Sequence, residues 1–169
     1  GARLDLKPHE RVLREGDLMA ACSYVVYQGY WAHGQRTGTL AKPLPSFERL
    51  YKIAREAQDE GLKQIQPGVP IAQVAQTIEA NVSQHGLHLL GGRIGHGIGM
   101  DYSEQPVPLD DNNEIPFESG NTVEVHAVYA LPETGKMWVP LGDVCHVTDD
   151  GAALLMEFTR EMFVAGADS

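Results

Sequence analysis

The chain is expected to fold as an α+β domain with an antiparallel sheet, on three observations. Extended, β-branched and aromatic segments open it, two helical segments with one apolar stripe each follow, and a glycine-rich, strand-forming region fills the second half. Leu18–Val26 reads as the first strand, because Tyr24, Val25, Val26 and Tyr27 favour extended backbone. Gln28-Gly29 makes a turn, and Tyr30–Thr39 returns as the second strand. Pro43 and Pro45 interrupt regular structure. Ser46 then serves as N-cap for a helix in which Phe47, Leu50, Tyr51, Ala54, Ala57, Gly61, Leu62 and Ile65 recur at helical spacing. Pro67-Gly68 ends it. A second helix carries Ile71, Val74, Ala75, Ile78 and Val82 on one stripe.

After Gly86 the pattern changes. Gly91, Gly92, Gly95, Gly97 and Gly99 surround His96 in a loop–strand stretch, and Asp110–Glu114 is a polar loop. Thr122–Leu131 and Leu141–Thr148 are strand segments joined through Pro132-Glu133-Thr134-Gly135. Asp149-Asp150-Gly151 turns the chain into an expected final helix bearing Leu154, Leu155, Phe158, Met162 and Phe163. With no repeat, linker or low-complexity tract, residues 1–169 are expected to form a single domain.

Composition narrows the function. The 169 residues are 43% apolar and 21% charged, ordinary for a globular chain with a core. No apolar run reaches the roughly 18 residues needed to cross a bilayer, and no secretory signature opens the chain, so no membrane partner is expected. A formal charge of −10, with basic residues dispersed among acids, excludes generic nucleic-acid binding. Cys22 and Cys145 lie in apolar surroundings without CxxC spacing, which points to reduced thiols and a cytoplasmic protein.

Four segments carry a family pattern: Gly16-Asp17-Leu18 through Gly29-Tyr30 to Arg36-Thr37; Gln66-Pro67-Gly68-Val69; Gly95 through Pro106, reading GHGIGMDYSEQP; and Gly120 through Thr122-Val123-Glu124 to Gly142-Asp143 and Val147–Gly151. In this order and spacing the chain resembles the M24 family of creatinases, prolidases and aminopeptidases. The resemblance implies a pita-bread fold, a curved antiparallel sheet covered by helices, with the first part of that domain missing. It also implies a homodimer and a small-molecule or short-peptide substrate.

Family members hold two divalent ions with two Asp, one His and two Glu. Carried over position by position, the two Asp fall on Cys22 and His33, the His on His96, and the two Glu on Glu124 and Gly142. A second family histidine falls on Ser103, and a histidine near the substrate falls on His9. Arg36, from the Arg-Thr pair, is grouped with them at the substrate and expected to pair with a buried acid. An intact dinuclear centre is therefore not expected. His33, His96 and Glu124, with Cys22 as a soft fourth ligand or mere neighbour, suffice for one Zn, Fe or Mn ion at most. Strand alternation sets Glu124 on one face with Thr122 and His126, and Gly142 with Val144 and His146, so His126 joins the cavity wall and His146 approaches the space left at Gly142.

Three functions stay open at this level. The preferred one is a hydrolase acting on a C–N bond, with His96, Glu124 and His126 in acid–base chemistry and one metal ion or none. The second is an Xaa-Pro-type metallopeptidase with a variant site, and the third an inactive relative used for binding.

Overall fold

A computed structural model describes residues 10–131 and 135–166. Two long strands open it, β1 (Leu18–Tyr27) and β2 (Tyr30–Leu40), paired antiparallel with Tyr27 opposite Tyr30. Gln28 (φ 51°) and Gly29 (φ 87°) are both left-handed, as a two-residue hairpin loop requires. Helices α1 (Pro45–Gln64) and α2 (Ile71–Ser83) follow. The cap of α1 falls on Leu44 rather than the expected Ser46, because Pro45 fills the first turn, where its missing N–H costs nothing. The expected stripes face inward: Tyr51, Ala54, Ala57 and Leu62 meet Ile71, Val74, Ala75, Ile78 and Val82 in one buried core. Gly61 lets the two helices close, since a Cβ there would sit 2.6 Å from Ile78 Cγ1.

The remaining strands are β3 (His88–Leu89), β4 (Gly95–Gly97), β5 (Glu104–Leu109), β6 (Thr122–Val125), β7 (Tyr129–Ala130), β8 (Met137–Trp138), β9 (Leu141–Thr148), β10 (Gly151–Leu154) and β11 (Phe163–Ala165). The main sheet runs β1-β2-β9-β6-β4-β5, with β10 on β9 and β11 on β2; β3-β7-β8 form a smaller sheet. All pairings are antiparallel except β11 with β2. Val123, Val125, Cys145 and Val147 turn one face toward the helices and join their core. The alternate residues face the other way and build the site. Among the described residues no helix is long and apolar enough to cross a membrane.

Two expectations are corrected. The Thr122–Leu131 segment is not one strand: His126 N–H bonds to Ile94 O (2.8 Å) and Val128 N–H to Arg93 O (3.2 Å), which draws the chain off the main sheet before β7. The final segment is not a helix. Its helical spacing loses to the open edges of β9 and β2, which β10 and β11 pair. Sockets at Gly34 and Gly38 reinforce this, because a Cβ at either would collide with Met156 or with the Phe163 ring.

Candidate active site

Three strands deliver the site. β4 and β6 set His96 directly opposite Glu124, and β2 brings His33 from across the sheet. The glycines around His96 make this pairing tight: Gly95 has φ 155°, and a Cβ on it would run into the Glu124 carbonyl. His33 Nδ1 makes a short contact with Glu124 Oε2, and His96 Nε2 stands 3.3 Å from the same oxygen. His96 Nδ1–H donates to Gly97 O at 2.9 Å, which orients the ring so that Nε2 faces the carboxylate. All three side chains are fully buried.

Unpaired polar atoms concentrate here. His33 Nε2, His96 Nε2, Glu124 Oε1 and both ring nitrogens of His126 are buried without a hydrogen-bond partner. Such groups are costly unless a ligand, water or ion completes them. Burial lowers the His33 pKa, but neighbouring Cys22 and the Glu124 carboxylate outweigh it and hold the ring charged, at about 9. His126 goes the other way: burial pushes it down to about 4, so it is neutral beside His33 and His96, its ring 6.0 Å and 5.1 Å from theirs.

Sequence reading missed an aromatic wall. Tyr24 stacks on His33 at 4.2 Å, and the Tyr102 ring lies 5.0 Å from His96 and 5.6 Å from His33. Burial, with the Tyr24 hydroxyl assisting, raises the Tyr102 pKa and keeps the phenol protonated. The signal for Tyr24 was the hairpin register, which sets it opposite His33.

The other expected residues scatter. Cys22 is exposed, accepts a bond from Gln35 Nε2 at 3.1 Å, and touches the site only through its influence on His33. Ser103 is exposed, and His9 lies outside the described residues. Arg36 pairs with a buried acid as expected, and its guanidinium is fully engaged there, bonding Asp143 Oδ1 (2.6 Å), Gly142 O (2.8 Å) and Thr159 O (2.7 Å). Gly142 does border the site, since a Cβ on it would lie 2.9 Å from Glu124 Oε1 and 3.0 Å from His126 Cβ. His146, expected near that space, is opposite Thr122 instead, and His126 and Gln35 line the gap.

The sequence model of metallopeptidase family M24 matches residues 2–150. The chain belongs to this family. Within M24 it is 25% identical over 158 residues to the putative dipeptidase YkvY of Bacillus subtilis, covering 93% of this chain and 43% of that protein. The dipeptidase PepE structure from Mycobacterium ulcerans superposes with a TM-score of 0.83 at 28% identity, covering 92% of this chain and 42% of that one. The Xaa-Pro dipeptidase of Bacillus anthracis gives 0.83 at 25%, covering 92% and 43%. The expected pita-bread fold is thus shown, and the chain spans less than half the length of these relatives. M24 proteins usually use divalent metals. Here His33, His96 and Glu124 offer donor atoms all within 4.8 Å of one another, a set that fits one ion of borderline softness.

Proposed function

We propose that the protein hydrolyses a C–N bond in a small molecule or short peptide, with His96 as the acid–base group and Glu124 as its electrostatic partner, aided by one divalent ion or none. The observation that carries this reading is His96 Nε2 standing 3.3 Å from Glu124 Oε2, with Nδ1 already committed to Gly97 O. An imidazole held so can take a proton from an attacking water and return it to a leaving nitrogen. The Glu124 charge stabilises the imidazolium formed on the way, and His33 pairs with that carboxylate from the other side. His126, held neutral, lines the cavity without adding a competing charge. Tyr102 and Tyr24 screen the cluster from water on one side.

His33, His96 and Glu124 would hold the ion. When bound, it would supply Lewis acidity and a water of lowered pKa. Holding it requires His33 to give up its proton, so binding weakens as pH falls. Among the described residues no second carboxylate completes a two-ion site, since Gly142 has no side chain and the grouped donors are His33, His96 and Glu124.

The test pairs metal titration with substitution. Calorimetric titration of chelator-treated protein with Zn²⁺ should saturate at one equivalent or show no binding; saturation at two would refute the mononuclear reading. His96→Ala should abolish amide and dipeptide hydrolysis, and retained turnover would remove His96 from the mechanism.

A further inference from the structure

His126 falls on none of the ligand positions carried over from the family, yet its ring stands against those of His33 and His96. The residue is 8% exposed, and both ring nitrogens are buried without a partner. A neutral imidazole has one N–H to give and one lone pair to share, and burying both unmet is expensive for the fold. The backbone holds His126 in place: its N–H bonds Ile94 O at 2.8 Å, one residue past the end of β6. Gly142 makes the room. A Cβ on Gly142 would lie 3.0 Å from His126 Cβ and 2.9 Å from Glu124 Oε1. His126 and the unbonded carboxylate oxygen therefore crowd the spot from which the second family Glu would project.

The ring spacings suit a shared ion. With Zn–N at about 2.0–2.1 Å, an imidazole centre lies about 3.2 Å from its metal, so two rings on one ion stand about 5 Å apart at the tetrahedral angle and about 6 Å at a wider one. The His126 ring is 5.1 Å from that of His96 and 6.0 Å from that of His33. The tightest donor group is His33, His96 and Glu124, so His126 joins it by turning its ring. That turn uses the soft terminal torsion of histidine and breaks no hydrogen bond, since neither nitrogen makes one. We propose that His126 is a fourth ligand, standing in for the carboxylate lost at Gly142, so that three imidazoles and Glu124 form a single Zn²⁺ site. The inference rests on the one-ion form of the hydrolase reading and names its ligand set. Nitrogen-rich coordination favours Zn²⁺ over Mn²⁺, which prefers oxygen.

The experiment titrates the full, untagged, chelator-treated chain with Zn²⁺ against a competing chelator, and reads the Zn²⁺ form by X-ray absorption. One equivalent should bind, and the absorption fine structure should count three imidazoles. His126→Phe keeps an aromatic ring and removes both unmet nitrogens, so its metal-free form should melt no lower than the parent's. Its Zn²⁺ affinity should fall by more than about 100-fold, beyond the range of about 10- to 100-fold that an outer partner of a ligand commands. A smaller loss would make His126 an outer partner and overturn the proposal. A count of two imidazoles would overturn it as well, and that count is taken on the parent without any variant. Parent protein that binds no Zn²⁺ would also overturn it, leaving the metal-free hydrolase route in place. Three imidazoles on one ion with no turnover of any amide or dipeptide would refute the hydrolase reading and keep the site.

Discussion

Asp143 touches no reacting group, yet its removal should be among the most damaging single changes in the protein. Its buried carboxylate accepts Arg36 Nη2 at 2.6 Å and Arg160 Nε at 2.9 Å, with Gln58 Nε2 at 3.5 Å. Arg36 also holds Thr159 O and Phe158 O, so this one acid ties β2, β9, α1 and the C-terminal segment together. Asp143→Ala leaves the Arg36 guanidinium, 5% exposed, without a counter-charge. Arg160 keeps its second partner, Asp59, so the loss falls mainly on Arg36. Breaking one side of a buried pair costs about 3–5 kcal/mol. With a urea slope of about 2 kcal/mol per M, the unfolding midpoint should drop by roughly 1.5–2.5 M. Arg36→Met with Asp143→Leu should recover most of this, because apolar groups of similar volume leave no orphaned charge; the pair should stay within about 1 kcal/mol of the parent. Urea unfolding followed by circular dichroism reads both. A single-variant shift under about 0.5 M, or a double variant as weak as the sum of its singles, would refute the reasoning. Were Arg36 at the substrate instead, Arg36→Met would raise KM and leave the midpoint in place.

Three further outcomes are expected. Gly142→Glu sets a second carboxylate against Glu124, so in chelator the melting temperature should fall by about 6–12 °C for a cost near 3 kcal/mol, and Zn²⁺ should restore it; a melt indifferent to metal would refute the placement of Gly142 at the site. Gly95→Ala should destabilise well beyond the ~1 kcal/mol expected for Gly91→Ala, because both are left-handed but only a Cβ on Gly95 strikes the Glu124 backbone; equal urea midpoints would contradict the β4–β6 packing. Thiol titration at pH 8 should modify Cys22 and spare Cys145, since burial pushes the Cys145 thiol up to about 12 and leaves only ~10⁻⁴ as thiolate; two fast thiols would contradict its burial.

Much of this was legible from residues alone. Apolar stripes at helical spacing placed α1 and α2, because burying one face of a helix is a local pattern with a fixed period. Gln28-Gly29 fixed the hairpin, and with it the register that brings Tyr24 over His33. The glycine-flanked His96 and the lone carboxylate Glu124 in an apolar strand announced a site, since neither is tolerated there without a partner. Tertiary structure decided the rest. The last segment has helical periodicity, but long-range edges and glycine sockets on β2 and β9 claim it as strands. Arg36 is expected to pair with a buried acid, but only the fold shows that the acid is Asp143. The space beside Gly142 was filled by His126, one residue past the end of β6, rather than along β9 by His146, because β6 ends opposite Asp143 and delivers the next side chain there. Local sequence carries the periods and the punctuation of the chain; which distant edge, socket or counter-charge meets them is settled only when the whole chain closes.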